Sequence, residues 1–471
     1  MKNLLAKLHR DPYLLVLTLG ITIFCLYSTV AGILRYEHFL ARKLDLGNMM
    51  QTIWNTGQGN FFQFTYPYST DVVSRLGTHA DFFLILLTPL YMLFPSAWTL
   101  LIFQAVVVGA GAVFVYLISK KLIGNPLYSV LFGFLYLLNP SVIRSSIYDF
   151  HAVVLSTTFL LAAWYFLIHK KWFWVIFWCI LAGITKEQVW IITGLLALYV
   201  AWKEKLYKSG IFLALLSFGI FYFLFTVAIP NASHGQHFVL GYYAEYGEES
   251  GSVLKGVFAD PLHTALTITN EERRSFLWQI FSPLSIFPFA SPLYLIFMAP
   301  ELLGYLVSNN HNMHLLYYHY TATLTPFIFI SAIYGCAFIL KHMGNMKARS
   351  SILLPVFLIG FFFSFRYSPF PYSREPQVDM FKPATSEMKE MNTYLKSIPS
   401  YARVSASDDL GAHLANRKYL YIFPLGVDLA EYVAIDKAFD SKNVSIIKSI
   451  DSNPAFMNIF ENKTYVIYRR N

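Results

Sequence analysis

Long apolar runs limit how this chain can fold more than any other feature of its sequence. They recur between residues 13 and 366, and most are close to the roughly 17 to 25 residues that a helix needs to cross a bilayer. One such run would suffice for an anchor, so their recurrence predicts a mainly α, polytopic helical membrane bundle. The first run, residues 13–33, is longer than a signal-peptide core and no small-residue cleavage site follows it, so we expect it to be the first span.

The charged residues indicate topology rather than a nucleic-acid partner. Only 13% of the 471 residues are charged, although the net charge is +9, and the basic residues gather in short clusters between apolar runs. The clusters are Lys2, Lys7 and Arg10; Lys120 and Lys121; Lys170 and Lys171; Lys203, Lys205 and Lys208; and Lys341, Lys347 and Arg349. By the positive-inside rule they mark cytoplasmic turns, which predicts about eleven spans with the N-terminus cytoplasmic in the plasma membrane.

Composition divides the chain near residue 366. We expect residues 1–366 to form the transmembrane domain, residues 367–379 to be a Pro-rich linker, and residues 380–471 to form a small external α/β domain. Two external loops interrupt the transmembrane domain, a large first one at residues 34–95 and a second at residues 231–275.

Two proline-containing segments are harder to assign to membrane crossings. Residues 81–95 are too short to cross a bilayer, so we expect them to lie along the outer surface. Residues 276–307 must make an even number of crossings, because the basic cluster that begins at Lys341 is cytoplasmic. They are predicted to be a hairpin bent at its prolines.

Residues 380–471 have the patterns of a soluble fold. The stretch EMKEMNTYLKSI has helical spacing, which predicts a helix over 387–398. Four stretches alternate like strands: YARVSASD at 401–408, KYLYIF at 418–423, EYVAID at 431–436 and KTYVIYR at 463–469.

Most of the unusual polar residues fall on the outer side of this topology. They are Asp45, Asn48, Asn55, Arg75, His79, Asp149, His151, Lys186, Glu187, His311, His314 and His319. Ionisable groups at membrane depth are costly, so they usually face a cavity or one another. Several loops supplying such groups on one face predict a single site.

The segment around Asp45 has the pattern of an amphipathic helix. At about 100° per residue, its polar and apolar residues fall on separate sides of the helix. The polar side holds Asp45, Asn48, Thr52 and Asn55, and the apolar side holds Leu46, Met49, Met50 and Ile53. We expect an interfacial helix whose apolar side lies in lipid or on the bundle while Asp45 faces a polar cleft. The alternative is an ordinary surface helix with a solvated aspartate.

The other polar motifs also have structural interpretations. Arg75 can extend to lipid headgroups and His79 can be a hydrogen-bonded surface residue. Asp149 and His151 fit a tight interhelical turn equally well. Lys186 and Glu187 stand at the tip of a short hairpin, where a cation at the membrane edge is less easily explained by structure alone.

Known motifs of soluble enzymes are absent from the sequence, which contains no Walker motif, dinucleotide fingerprint or GxSxG. The histidines at 311, 314 and 319 have spacings of three and five, unlike the HExxH of zinc proteases. A divalent metal is therefore permitted but neither required nor assigned to any residue.

Six stretches together resemble the multi-pass membrane family DUF2079. In chain order they are LDLGNMMQTIWNTGQG, SRLGTHADFFLILLTPLYMLFP, YDFH, ITKEQVW, YYHYTATLTPF and VSASDDLGAHLANRKYLYIFP. That family resembles the GT-C glycosyltransferase superfamily, which includes protein O-mannosyltransferases and the aminoarabinose transferases of lipid A. The resemblance implies a GT-C-like fold and a sugar donor linked to polyprenyl phosphate on the outer face.

In GT-C enzymes the first external loop carries an acidic residue beside the acceptor, and the matching position here is Asp45. Protein O-mannosyltransferases have a paired Asp-Glu there, whereas Leu46 follows Asp45 in this chain. The family's hairpin tip often reads Lys-Glu-Asp, whereas Gln188 follows Glu187, so no role is assigned to Gln188. The resemblance leaves the acceptor, whether glycan, lipid or protein, unspecified.

These implications give a hypothesis for the chemistry. Asp45 would act as the general base, and Arg75, Lys186 and either His319 or His151 would stabilise the leaving lipid phosphate. Asp149 and Glu187 would bind sugar hydroxyls or orient the cations, and Asn48 and His79 would complete the substrate site. The partners are then the donor lipid, the bilayer and an acceptor. The external domain would hold the acceptor or cap the cleft.

The alternative function is a transporter or flippase of a small or lipid-linked anion, for which charged residues along a pathway are equally natural. Transporters often have matching halves with broken helices in corresponding places. The sequence has no such matching halves, and its polar residues are concentrated on one predicted surface. Transfer of a sugar is therefore the favoured interpretation.

Overall fold

Long apolar helices dominate the computed structural model, which describes residues 11–247, 250–343 and 353–471. In these residues four helices are long and apolar enough to cross a membrane: Pro12–Glu37, Ala97–Ile123, Tyr207–Ser233 and Thr325–His342. Shorter apolar helices include Phe83–Leu93, Ala152–Ile168, Trp172–Gly183 and Leu354–Tyr367. The count of about eleven spans remains a prediction. The predicted cytoplasmic residues Lys2, Lys7, Arg10, Lys347 and Arg349 lie outside the described residues.

A fifth candidate span is bent by 47° between Pro126–Leu137 and Pro140–Ile147. Pro140 lacks a backbone N–H and disfavours helical geometry at the residue before it, so the first helix ends there and a new one begins. Asn139 caps the second helix, because its side-chain oxygen accepts a hydrogen bond from Ser141 N at 2.9 Å. The bend follows from the proline.

The chain divides into two compact units. The first, here called the helical unit, comprises Met1–Ser28, Gln104–Tyr148 and Ala152–Val378. The second, here called the mixed unit, comprises Thr29–Phe103, Asp149–His151 and Asp379–Asn471. The boundaries predicted from composition remain a prediction, and the two units are described separately below.

The helical unit contains most of the α-helices. Besides those already given, they are Val189–Glu204, Ser250–Ala259, Pro261–Ile268, Glu271–Phe281, Phe287–Ala290 and Ala299–Val307. Ala152–Ile168 is buried along nearly its whole length, and its polar residues bond to backbone. Thr157 donates to the carbonyl of Ala322 at 2.7 Å and Thr158 to that of Val107 at 2.7 Å. Satisfied hydroxyls of this kind let a polar residue occupy the core.

The proline-rich part of the helical unit is broken rather than a pair of continuous helices. Between the helix that ends at Phe281 and the one that begins at Ala299, the chain forms only Ser282–Leu284, Phe287–Ala290 and Pro292–Phe297. Each proline removes a backbone donor and blocks the preceding turn, so regular helix is interrupted every few residues. The interruptions predicted at the prolines are present, and the two crossings of the hairpin over 276–307 remain a prediction.

Two sheets lie in the mixed unit. β1 (Gln63–Thr65) pairs antiparallel with β2 (Val72–Ser74), with Gln63 opposite Ser74. The larger sheet contains β3 (Val404–Ala406), β4 (Leu420–Ile422), β5 (Tyr432–Asp436), β6 (Phe456–Glu461) and β7 (Tyr465–Arg470), in the order β4-β3-β5-β7-β6. β3 runs parallel to β4 and β5, and β7 runs antiparallel to β5 and β6.

All four predicted strands are confirmed, and β6 was missed. β6 is an edge strand with mostly exposed or half-buried side chains and an irregular register near Asn458, so it lacks the alternation that identifies a strand. The predicted helix is confirmed as Ser386–Ser397, where Thr385 accepts a hydrogen bond from Met388 N at 3.2 Å. The core of this part consists of Phe423, Ala430, Val433, Ile435, Ile447, Ile450, Val466 and Tyr468.

The segment that carries Asp45 begins with one π-helical turn, Lys43–Gly47, and continues as the α-helix Asn48–Gly57. Both sides of this helix are buried, including its polar residues Asn48, Thr52 and Asn55. The apolar side therefore lies against protein, and the interfacial position remains a prediction. Several polar side chains of the helix bond to protein: Asn55 donates to the carbonyl of Gln63 at 3.0 Å, and Gln51 donates to Thr65 Oγ1 at 3.1 Å and to the carbonyl of Arg417 at 3.0 Å.

Close backbone approach fixes the π turn in the mixed unit. Lys43 is fully buried, and its amine donates to the carbonyl of Thr65 at 2.8 Å. A Cβ added at Gly411 would lie 2.5 Å from Lys43 Cβ, and one added at Gly47 would lie 3.3 Å from Ala412 Cα. Glycine at these two positions therefore allows the turn to pack on Asp408–Gly411 and its continuation.

We predict that Gly411→Ala lowers the free energy of unfolding by about 1–3 kcal/mol, as overpacking of a filled site does. Gly241→Ala is the matched control, because a Cβ there meets nothing within 4 Å. Thermal denaturation of the detergent-solubilised protein, followed by tryptophan fluorescence, measures both. Equal melting temperatures for Gly411→Ala and the control would show that the close packing of Lys43 is incorrect.

Candidate active site

Asp45 lies beside His151 in the mixed unit. His151 Nε2 is 3.3 Å from Asp45 Oδ1, and His151 Nδ1 is 2.9 Å from the backbone carbonyl oxygen of Asp149. A carbonyl oxygen can only accept, so Nδ1 carries a hydrogen and Nε2 is the nitrogen that faces the carboxylate. The Asp45 side chain is 26% exposed and the His151 side chain 8%. Asp45 is thus held on one side and accessible on another.

Asp149 holds the chain just before Asp45. Its Oδ2 accepts a hydrogen bond from the backbone N–H of Arg42 at 3.0 Å, and its Oδ1 is 3.4 Å from Arg35 Nη2. Burial raises the pKa of Asp149, and the charge of Asp45 adds to this, while Arg35 and the Arg42 N–H oppose it. Asp149 therefore acts within the protein as a fixed acceptor.

Asp408 accepts a hydrogen bond from the backbone at Leu44. Its Oδ1 accepts a hydrogen bond from Leu44 N at 2.9 Å, and its Oδ2 is 3.6 Å from Arg42 Nη1. The Arg42 guanidinium also lies over the ring of Phe439, 4.8 Å from its centre. Burial raises the pKa of Asp408, against the Leu44 N–H and Arg42, and the charge of Asp45 raises it further.

Asp149 and Asp408 thus bond to the backbone just before Asp45. We call these three residues, Asp45, Asp149 and Asp408, the carboxylate cluster. The basic residues beside them are Arg35, Arg42, Lys43 and His151. Burial lowers the pKa of Lys43 to about 7, Arg75 adds to this, and the nearby Asp408 opposes it. Sequence reasoning did not assign Arg35, Arg42, Lys43 or Asp408. Arg42, Lys43 and Asp408 stand in or next to the stretches that resemble DUF2079, which was the available signal.

Arg75 forms an ion pair with Asp81, six residues away. Its Nε lies 3.2 and 3.1 Å from the two carboxylate oxygens of Asp81, its Nη2 lies 2.8 Å from Oδ2, and both side chains are buried. This paired geometry is the strong form of an Arg–carboxylate contact. His79 follows Arg75 in the same turn, with its backbone N 3.1 Å from the carbonyl of Arg75. Asn48 donates to the carbonyl of Leu44 at 2.7 Å.

Lys186 and Glu187 lie in the helical unit, in the turn between Trp172–Gly183 and Val189–Glu204. Glu187 is buried, with its Oε1 3.4 Å from His237 Nε2, and His237 was not singled out from the sequence. Gln188, to which no role was assigned, donates to Glu301 Oε1 at 3.3 Å, and Glu301 also accepts from the hydroxyl of Tyr305. The hairpin tip is therefore part of a polar network.

The predicted histidines of residues 311–319 divide into two groups. His311 Nδ1 and His314 Nδ1 lie 2.5 and 2.9 Å from Glu272 Oε1. Burial alone would raise the pKa of Glu272, but the hydrogen bonds from His314 and His311 outweigh it and lower the pKa. His319 is buried, with its ring centre 4.6 Å from that of Tyr320 and 6.4 Å from that of Tyr148.

The sequence-derived site residues thus fall in both units. Asp45, Asn48, Arg75, His79, Asp149 and His151 belong to the mixed unit, and Lys186, Glu187 and His319 belong to the helical unit. Within the mixed unit, Asp45 contacts His151, and His151 contacts the backbone carbonyl of Asp149. The functional roles of all nine residues remain predictions.

The sequence model of a family described as "Predicted membrane protein (DUF2079)" matches residues 35–461. The chain belongs to the DUF2079 family. No curated protein sequence matches it.

Among solved structures, this DUF2079 protein is similar to ArnT from Cupriavidus metallidurans. The crystal structure of ArnT bound to undecaprenyl phosphate matches with a TM-score of 0.57 and 10% identity, over 97% of this chain and 98% of that chain. The apo structure of ArnT matches with a TM-score of 0.53 and 9% identity, over 98% of each chain. The DUF2079 protein therefore has an ArnT-like fold.

A second group of acidic residues lies at the ends of β3 and β5 of the DUF2079 protein. Asp436 Oδ1 accepts hydrogen bonds from Ala438 N at 2.8 Å and Phe439 N at 2.9 Å, and Asp440 accepts one from the hydroxyl of Ser407. Burial and the charge of Asp436 raise the pKa of Asp409 to about 8. Asp409 is therefore largely a neutral carboxylic acid at neutral pH.

We predict that Arg75→Met destabilises the protein by about 3–5 kcal/mol, because it leaves the buried Asp81 carboxylate without its guanidinium. The double variant Arg75→Met with Asp81→Leu should recover most of this loss, since neither charge then remains. Chemical denaturation in detergent micelles, followed by tryptophan fluorescence, measures each variant. A single variant as stable as the wild type would mean that Arg75 is not committed to Asp81.

We predict that Asp409 makes the protein less stable as the pH rises from about 4 to about 8. Its folded pKa of about 8 lies above the ordinary value of 3.8, so the folded state binds more protons in this window and deprotonation favours unfolding. Asp409→Asn should remove this part of the pH dependence, whereas Asp71→Asn, at an exposed residue, should keep it. Melting temperatures between pH 4 and 8 test this, and identical slopes for Asp409→Asn and wild type would contradict it.

Proposed function

We propose that this DUF2079 protein is a membrane glycosyltransferase that transfers a sugar from a polyprenyl-phosphate donor to an acceptor on the extracytoplasmic face of the plasma membrane. The observation that carries the proposal is the accessible carboxylate of Asp45, held by His151 in a chain with an ArnT-like fold. The ArnT structure contains undecaprenyl phosphate, which supports a polyprenyl phosphate as the lipid partner.

Asp45 is the general base in this proposal. As the acceptor oxygen attacks the anomeric carbon of the sugar, Asp45 takes the proton of that hydroxyl group. The bond from the anomeric carbon to the lipid phosphate oxygen breaks, and the phosphate leaves with the bonding electron pair. General-base assistance of this kind is worth about 10² to 10⁴ in rate. Of the three cluster carboxylates, Asp45 suits the role best, because its side chain is 26% exposed while that of Asp149 is 2% exposed.

Cations assist the departure of the lipid phosphate, because negative charge grows on it in the transition state. We assign this role to Lys186, with His319 as a further contact for the donor headgroup. Glu187 would orient Lys186 or bind a sugar hydroxyl. Arg75 is paired with Asp81, so its proposed contribution is to the local charge rather than to a direct bond with phosphate. The transfer step as written requires no metal.

The rest of the proposal concerns how the substrates are held. The prenyl tail of the donor would lie in the bilayer, against the apolar helices, which places its phosphate at the membrane surface. Asn48 and His79 stand close in sequence to Asp45 and Arg75 and would contact the sugar or the acceptor. Fixed contacts of this kind accelerate transfer by bringing the reacting atoms together in the correct orientation.

We predict that Asp45→Asn lowers sugar transfer by about 10²-fold or more, because an amide cannot accept the proton. Asp71→Asn is the control, since Asp71 is exposed and its carboxylate contacts Ser69. Each variant is expressed in a deletion strain whose outer-face glycans or glycolipids differ from those of the parent, and the profiles are compared by mass spectrometry. Restoration of the parental profile by Asp45→Asn, at equal protein level, would refute the proposal.

A further inference from the structure

The contact between Asp45 and His151 requires a proton of its own. Because Nδ1 donates to the carbonyl of Asp149 at 2.9 Å, a neutral imidazole would present the lone pair of Nε2 to Asp45. A lone pair and a carboxylate oxygen 3.3 Å apart repel each other unless a hydrogen lies between them. The geometry therefore requires one proton between the imidazole and the carboxyl group, in addition to the proton on Nδ1.

The charged groups around the pair bear on whether that proton lies on His151 or on Asp45. Asp149 and Asp408 are both close enough for their charges to interact with that of Asp45, and neighbouring carboxylates favour a neutral Asp45. Arg35 and Arg42 are directed to Asp149 and Asp408, and the Lys43 amine is bonded to the carbonyl of Thr65. The hydroxyl of Tyr68 also interacts with Asp45 and Asp408. Among these groups, His151 is the one whose charge lies directly against Asp45.

We propose that His151 is a positioning residue that keeps this proton on its own ring, so that Asp45 remains an ionised base within a group of carboxylates. The backbone carbonyl of Asp149 fixes the orientation of the imidazole. This inference rests on the proposed function only for its use in transfer, because the charge state of Asp45 can be measured without any substrate. It replaces the role of a phosphate contact that the sequence suggested for His151.

The protons of the proposed transfer step are conserved. The imidazolium holds its two N–H groups throughout, one toward the carbonyl of Asp149 and one toward Asp45 Oδ1. The acceptor hydroxyl gives its proton to the other oxygen of Asp45, which converts the carboxylate to a carboxylic acid. After the sugar has moved to the acceptor, Asp45 returns that proton to water, and the pair regains its starting state. No oxidant, reductant or further co-reactant takes part.

The test measures how much of Asp45 is neutral. Dicyclohexylcarbodiimide is an apolar reagent that reacts with protonated carboxyl groups, and mass spectrometry of the digested protein gives the fraction labelled at Asp45. In the full-length wild-type protein in detergent at pH 7, we expect little labelling at Asp45. Lowering the pH to 5 should raise the labelling, which shows that the reagent has access.

Three substitutions of His151 make the test specific. His151→Asn can still donate to the carbonyl of Asp149 and His151→Gln can still reach toward Asp45, but neither carries the proton. Both should raise labelling of Asp45 at pH 7 by about tenfold, because an opposite charge at this distance changes the ratio of ionised to neutral carboxyl by at least about that factor. His151→Lys restores a positive charge and should return the labelling toward the wild-type level. His263→Gln, at an exposed histidine that pairs with Glu245, is the control and should change nothing.

The outcomes separate this inference from the proposed function. Strong labelling of wild-type Asp45 at pH 7, or unchanged labelling in both neutral variants, overturns the role of His151 whatever the transfer assay gives. Increased labelling in both neutral variants supports the role, even if Asp45→Asn leaves the glycan profile intact and transfer itself is refuted. If the neutral variants do not fold, strong labelling of wild-type Asp45 at pH 7 still overturns the role, and weak labelling supports an ionised Asp45.

Discussion

Two hydrogen bonds that one short stretch of backbone donates to distant carboxylates determine the geometry of the candidate site. The first N–H groups of a helix have no acceptor within the helix and need one from elsewhere. Here the N–H of Arg42 is accepted by Asp149 and that of Leu44 by Asp408, at 3.0 and 2.9 Å. Negative charge is also favourable at a helix N-terminus. The caps of the segment that carries Asp45 are therefore supplied from residues 107 and 364 positions away in sequence.

This arrangement explains why the mixed unit includes the C-terminal residues. Asp408 follows β3, so the position of Asp45 depends on the folding of the small sheet as well as on its own helix. Gly411 and Gly47 let the two segments approach closely, and the buried Lys43 fills the space beside them. Hydrogen bonds and close packing thus set the position of Asp45 within the protein, and preorganised charges of this kind are effective in catalysis.

The charge balance of the site has a second consequence. Carboxylates gathered in a partly buried region repel one another, and each must be offset by a cation or a hydrogen bond. Arg35 and Arg42 offset Asp149 and Asp408, which leaves His151 against Asp45. The more exposed carboxylate is thus paired with an imidazole rather than with a guanidinium. In the proposed reaction this division distinguishes the base from the carboxylates that only hold the backbone.

Local patterns in the sequence predicted the elements well, because helices and strands follow from residue spacing. The apolar helices, the helix Ser386–Ser397 and four of the five strands of the larger sheet came from such spacing. The burial of Asn48–Gly57 did not, since the bonds from Gln51 to the carbonyls of Arg417 and Lys418 join residues more than 360 positions apart. Asp408 was also missed, because two aspartates after a strand have the pattern of an ordinary loop and its partner Leu44 is 364 positions away. The partner of Arg75 is only six residues away and was in principle readable from the sequence.

The most direct measurement is an electron cryo-microscopy structure of the full chain in lipid nanodiscs, at a resolution that defines side chains. The central claim is that Asp45 is held against His151 by backbone caps from Asp149 and Asp408. It predicts density that joins Asp45 Oδ1 to His151 Nε2 at about the observed 3.3 Å, with Asp408 bonded to Leu44 N. Density in which Asp45 turns away from His151, or in which Asp408 is separated from Leu44, would contradict the account.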